Sequence, residues 1–238
     1  MRSDSDYPKG YRYPIVIISH AVWLYHRFTL SFRDVQELLF ERGIDVTYES
    51  IRRWCNRFGP ELAEEIKRRR RPAGRTWHLD EVHIVIAGEV HWLWRAIDEH
   101  GEVLDILLQE HRDAASAKRF FRRLLDDNDL PEQVVTDGLR SYGTAIKEIP
   151  ELSVAEHVTV SASEHQNNLI EQSHRPTRNQ ERPHQGFRSC WRAQRFLFSH
   201  AHISNLFKTT RTQISANERR FNIKQALSTW AEVALDMI

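Results

Sequence analysis

Cysteine is scarce in this 238-residue chain: Cys55 and Cys190 are the only two, and they form no CxxC pair. A disulfide framework and a cysteine-based zinc site are therefore not expected. Long apolar runs are missing too, whereas a helix crossing a bilayer needs about 20 such residues. The opening MRSDSDYPKGYRYP carries acidic residues and no apolar stretch, so no signal peptide is expected there. Thirteen histidines contain neither HxxxH nor HExxH, which leaves a zinc hydrolase little support. Internal repeats and low-complexity tracts are also lacking. What is present is a 40% hydrophobic, 10% aromatic composition, enough to bury a real core. The length fits one large domain, or a medium domain with a small appendage. The expectation is a cytoplasmic protein with no membrane partner.

The net charge of +1 hides a segregation. Residues 1–75 carry fifteen Lys/Arg against ten Asp/Glu, and residues 161–238 carry eleven against six, each a net of +5. Residues 76–160 carry eight against seventeen, a net of −9. An acidic centre between basic flanks suits a metal-using enzyme of nucleic acid, with carboxylates holding cations and Lys/Arg meeting phosphates. Chance segregation of solvated charge gives the same pattern.

Helical spacing marks three short helices at the front. Residues 14–27 place Ile17, Ala21, Leu24 and Tyr25 on one side. Ser31 can cap a second helix, with Asp34 three residues on and Val35, Leu38 and Leu39 as its stripe. Gly43 breaks it, and Thr47 can cap a third helix, YESIRRWCNRF, with Ile51, Trp54 and Phe58 inward. That is the grammar of a helix-turn-helix, shared with packing and dimerisation bundles. Ser50, Arg52, Arg53 and Arg57 are its candidate DNA contacts. The basic run 67–71 before Pro72 reads as a linker or exposed arm, with Lys67, Arg68, Arg69 and Arg70 available to a DNA backbone.

From residue 76 the pattern changes. TWHLDEVHIVI, EVHWLWRAID and EVLDILLQ, joined at Ala87-Gly88 and His100-Gly101, read as an antiparallel meander. A helix over 114–127, a short strand ending in Asp137-Gly138, a helix LRSYGTAIKEI, a short strand near LSVAEHVTV and a helix opening at QNNLIEQ follow. The order β-β-β-α-β-α-β-α is that of a ribonuclease H-like fold. The expected class is α/β, an RNase H-like mixed sheet flanked by helices and preceded by the helix-turn-helix. The expected boundaries are 1–65 for DNA binding, 66–75 for the linker, 76–208 for the catalytic domain and 209–238 for a helical extension.

Asp80 in the first strand, Asp137 at the end of the fourth and Glu171 on the last helix can then converge. In-line phosphodiester transfer needs an activated attacking oxygen and a stabilised leaving oxygen, which two magnesium ions about 3.5–4 Å apart supply. Magnesium takes oxygen ligands, so a few carboxylates suffice. Taken singly, Asp137 before glycine is more often a turn aspartate, and Glu81 is a competitor to Asp80 that should point to the other face. His78 shares the Asp80 face and is more simply a surface or supporting residue.

With WHLDEVHI, VVTDGLRSYG and NNLIEQSHRPTR in order, the chain resembles transposases of the insertion sequence six (IS six) family, over nearly its whole length. The resemblance implies a catalytic triad of Asp80, Asp137 and Glu171 holding Mg2+, with Mn2+ as a substitute. It implies recognition of terminal inverted repeats, attack of a 3′-hydroxyl on target DNA, and a homodimer or higher oligomer in the bacterial, nucleoid-associated cytoplasm. Where many members carry lysine seven residues after the glutamate, this chain has Arg178, which keeps a phosphate-binding charge. Arg175 and Arg178 join the expected DNA contacts. The competing expectations are a non-catalytic helix-turn-helix regulator and a related integrase or nuclease.

Overall fold

A computed structural model describes residues 7–28, 30–160, 187–208 and 215–238. They fall into two compact units, residues 1–70 with 198–238, and residues 71–197. Among the described residues no helix is long and apolar enough to cross a membrane.

The first unit is helical. α1 (Ile15–Arg27) buries Ile15, Ile18, Ala21, Val22 and Tyr25, so its stripe is centred on Ile18 rather than on the half-buried Ile17. α2 (Phe32–Glu41) starts in a full capping box, with Ser31 and Asp34 each accepting the other's backbone N–H. Gly43, at φ +75°, makes the left-handed turn that ends it. α3 (Tyr48–Arg69) is capped by Thr47 and buries Ile51, Trp54 and Phe58 as the periodicity requires.

α3 also corrects the reading of 66–75 as a linker, because it runs through Pro60 to Arg69. An internal proline costs about 3 kcal/mol through its lost hydrogen bond and ring clash. Beyond it, Leu62, Ala63 and Ile66 are buried, and fully burying one large aliphatic chain is worth about 1.5–3 kcal/mol. The stripe therefore carries the helix past its breaker. Lys67 is buried as well, its Nζ 5.7 Å from the Phe198 ring centroid, so it leaves the exposed basic run.

The second unit is a five-stranded mixed sheet with helices. Its strands are β1 (Thr76–Ile86), β2 (Glu89–Asp98), β3 (Val103–Gln109), β4 (Gln133–Thr136) and β5 (Glu156–Thr159). The order is β3-β2-β1-β4-β5, with β1–β2 and β2–β3 antiparallel and β1–β4 and β4–β5 parallel. This is the RNase H-like arrangement expected from the element order. α4 (Ala114–Asp127) and α5 (Arg140–Glu148) connect its later strands. Trp77, Leu79, Trp94, Phe120, Phe121, Leu124 and Tyr142 form the core of that layer.

α6 (Cys190–Leu206) follows the undescribed stretch, and the division between the units falls within it, between Leu197 and Phe198. Its Gln194 side chain accepts from Leu108 N–H at 2.7 Å and donates to Ile106 C=O at 3.2 Å, on the outer edge of β3. Trp191 is 66% exposed with Arg195 lying over its ring. α7 (Ala216–Leu235) opens in a second capping box, Ser215 with Glu218, and packs with α1 and α3. Residues 209–238, left without a role in the sequence reading, thus contribute a helix to the first unit.

Candidate active site

The site is built where two neighbouring strands part. β1 and β4 stay in register from Thr76↔Gln133 to His78↔Val135, and two positions further on lie Asp80 and Asp137. β4 ends at Thr136, so among the described residues β1 has no β4 partner beyond His78. Carboxylate oxygens of Asp80, Glu81 and Asp137 all lie within 4.8 Å of one another there.

Each of the three is held differently. The Asp80 carboxylate accepts the N–H of Glu81 at 2.9 Å. Across the β1–β2 pair Asp80 faces Arg95, which is 6% exposed and whose guanidinium burial pulls down to about 10. Asp137 uses one oxygen as a turn aspartate, accepting Leu139 N–H at 3.0 Å, and turns the other toward Arg112 at 3.4 Å. The turn role of the sequence reading is therefore filled by one oxygen, and it leaves the other toward Arg112.

Glu81 pairs across strands with Trp94, on the core face with Trp77 and Leu79. It does lie on the face opposite Asp80, as strand alternation demands. One oxygen of its carboxylate nonetheless lies within 4.8 Å of oxygens of Asp80 and Asp137. One oxygen accepts from Arg112 Nε at 2.5 Å and the other from the Tyr142 hydroxyl at 2.5 Å. Burial pushes the Glu81 carboxyl up to about 7, with the Asp137 charge adding to it, against the pull of Tyr142 and Arg112. Tyr142 is raised well above its ordinary range, first by burial and then by the Glu81 carboxylate.

Around this cluster, Thr136 Oγ1 lies 2.9 Å from His157 Nε2. His78 is half-buried and outside the clustered ligand atoms, and burial lowers its imidazole below the ordinary range. Glu171, Arg175 and Arg178 lie outside the described residues.

The clustered donors are carboxylate oxygens, with no sulfur or ring nitrogen among them. That set fits hard divalent cations such as Mg2+ or Mn2+. Like charges this close repel one another, and a bound cation would relieve that.

Of the candidate DNA contacts, Arg52 and Arg53 on α3 share Glu49, and Arg57 pairs with Glu61. Ser50 lies 3.1 Å from Thr47 Oγ1 and donates its N–H to the same hydroxyl. Arg68 and Arg69 both meet Glu65, and Arg70 is the C-cap of α3. The sequence reading passed over Arg112 and Tyr142. The Asp-Glu doublet in an otherwise apolar strand is the one local sign that led toward them.

Comparison with known proteins identifies the family. A family model described as a DDE domain matches residues 74–210. The transposase for insertion sequence-like element IS431mec of Staphylococcus aureus strain Mu50 is 38% identical over 159 residues, covering 67% of this chain and 71% of that protein. The transposase for insertion sequence element IS257 in transposon Tn4003 of Staphylococcus aureus is 36% identical over the same length and shares. Among solved structures, the catalytic core domain of BIV integrase covers 66% of this chain and 99% of its own, at 12% identity and a TM-score of 0.43. A divalent-metal polynucleotidyl transferase acting on DNA is the activity that goes with this domain. The chain belongs to the DDE transposases of the insertion sequence six family.

Proposed function

We propose that Asp80 and Asp137, completed by Glu171, are the catalytic carboxylates with which this transposase joins its element's ends to target DNA using Mg2+. The observation that carries the reading is the approach of the Asp80 and Asp137 oxygens, within 4.8 Å, at the end of β4 inside the DDE domain. Cations held there would lower the cost of forming the attacking oxyanion and of releasing the leaving one. The protein's own part is to hold Asp80 rigid in a central strand and Asp137 at a fixed turn, so that the phosphate enters a prepared site. The 3′-hydroxyl oxygen of the element forms a new P–O bond as the target's own P–O3′ bond breaks. One phosphodiester replaces another, and the proton passes to the departing 3′-oxygen.

DNA recognition is assigned to α2 and α3, whose turn at Gly43 presents Arg53 and Arg57 with side chains 74% and 60% exposed. Their acidic partners lie on the same helix, and such exposed pairs are worth at most about 1 kcal/mol, so phosphates can displace them. Arg68, Arg69 and Arg70 extend the basic edge, with Arg175 and Arg178 beyond the described residues. The assignment extends to the terminal inverted repeats as the sequence bound, and to a dimer or larger assembly, since two DNA ends must be joined.

The test supplies labelled inverted-repeat DNA, target DNA and Mg2+ or Mn2+. Wild type yields joined product; Asp80→Asn and Asp137→Asn bind the repeat normally and yield none. Joining by either variant at the wild-type rate removes that residue from the triad. Binding without joining by the wild type points to a regulator instead.

A further inference from the structure

Three carboxylates meet at the site, yet the surroundings of Glu81 set it apart. Both of its oxygens are taken, one by Arg112 and one by Tyr142, and its side chain is fully buried. Glu81 is one of the three clustered carboxylates, yet each of its oxygens already accepts a hydrogen bond from the surrounding protein, whereas Asp80 and Asp137 are only half-buried. Arg112 is itself fixed on several sides. Its guanidinium lies 4.9 Å from the Trp92 ring centroid, and its carbonyl accepts from Ser141 Oγ at 3.4 Å. From that seat one nitrogen also reaches the Asp137 oxygen that the Leu139 turn leaves over.

We infer that Arg112 is a positioning residue: braced on Glu81 and Trp92, it sets the Asp137 carboxylate in place for the catalytic cation. The assignment rests on the reading of Asp80 and Asp137 as the cation-holding pair.

Charge and distance decide the sign of the effect. A free guanidinium beside Asp137 would oppose an incoming cation. Here the contact with Glu81 is the close one, at 2.5 Å, whereas Asp137 stands at 3.4 Å, outside the range of a strong hydrogen bond. Arg112 is thus held mainly by Glu81, and only its longer contact reaches the Asp137 carboxylate. Removing Arg112 loosens Asp137 and leaves Glu81 buried with one partner, able to swing out and disorder the site. Groups that orient a metal ligand are typically worth 10–100-fold in affinity.

The experiment uses the full chain with Arg112→Gln, Arg112→Lys, Glu81→Gln and the double variant R112Q/E81Q. Calorimetric titration with Mn2+ alone reads affinity, and the Mg2+ dependence of strand joining separates half-saturation from the rate at saturating metal. Arg112→Gln is expected to weaken Mn2+ about tenfold and raise the Mg2+ half-saturation by the same factor, with the saturated rate largely recovered. Glu81→Gln, which unseats Arg112, does the same, and the double variant is no worse than either, because one bridge is lost in all three. Arg112→Lys keeps the charge, loses the fork, and falls between wild type and Arg112→Gln. A purely structural role lowers the melting temperature and leaves both metal titrations unmoved.

Unchanged or tighter Mn2+ binding in Arg112→Gln overturns the inference. So does loss of all Mn2+ binding in Glu81→Gln, which makes Glu81 a ligand. If Arg112→Gln does not fold, the Arg112→Lys titration decides by the same criterion. Wild-type Mn2+ binding in Asp80→Asn defeats the assignment of the cation site itself, a result distinct from any Arg112 outcome.

Discussion

Replacing Tyr142 by phenylalanine removes one oxygen from the protein interior and little else. The ring is fully buried, with its centroid 5.4 Å from Trp94 and 6.2 Å from Phe121, and phenylalanine fills the same space without a cavity. What disappears is the hydroxyl 2.5 Å from Glu81. A buried hydrogen bond to a charged group contributes about 1.5–3 kcal/mol, and the Glu81 side chain is fully buried. The expected loss is about 2 kcal/mol in urea denaturation, with an unchanged m-value because the same surface is exposed on unfolding. For a unit of this size about 3–5 °C accompanies each kcal/mol, so the melting temperature should fall by about 8 °C. Tyr142→Ala loses the ring as well and should cost about 3–5 kcal/mol. A Tyr142→Phe loss under about 0.5 kcal/mol would refute the reasoning, since the Glu81 carboxyl would then not depend on that hydroxyl.

Ala87 sits at φ +52° in the β1–β2 turn beside Gly88 at φ +91°, so Ala87→Gly should stabilise by about 1 kcal/mol in the same denaturation assay. Gly74 abuts the Glu99 carboxylate, which accepts the N–H groups of Arg75 and Thr76 at 3.0 Å each. Gly74→Ala must push that carboxylate away and should cost about 1–2 kcal/mol, measured by thermal melting. Burial, aided by the Arg42 cation, holds the His20 imidazole below its ordinary value of 6.5. The native chain therefore binds fewer protons than the unfolded one, and this stability is present above pH 6.5 and lost as pH falls below it. His20→Gln should flatten the acid limb of the stability curve, and an NMR titration should place His20 below 6.5.

Local signals were legible because their physics is local. Ser31, Asp34 and Thr47 act within one helical turn, and Gly43, Gly88 and Gly101 mark joints through their own dihedrals. The meander and Asp137 at the end of a short strand could be read for the same reason. The surroundings of Glu81 could not, because Arg112 and Tyr142 lie 31 and 61 residues away and sit on other elements. Strand parity correctly set Glu81 on the face opposite Asp80, yet nothing in the pattern showed that its carboxylate would approach those of Asp80 and Asp137. The burial of Lys67 was hidden by its four arginine neighbours, since composition does not show which way one residue of a basic run faces. The third helix was read only as far as Phe58, and the buried stripe of Leu62, Ala63 and Ile66 explains why it runs on through Pro60.

The Gln194 side chain has a bearing on how copies of this transposase can assemble. Its carboxamide offers the outer rim of β3 one acceptor and one donor, as the C=O and N–H of one residue in a neighbouring strand would. An edge strand is otherwise a template on which another chain can grow. With this one-residue imitation in place, two copies joining through β3 would first have to evict their own glutamines. Where the proposed function calls for two copies, an assembly that extended the sheet at β3 would have to break these two hydrogen bonds first.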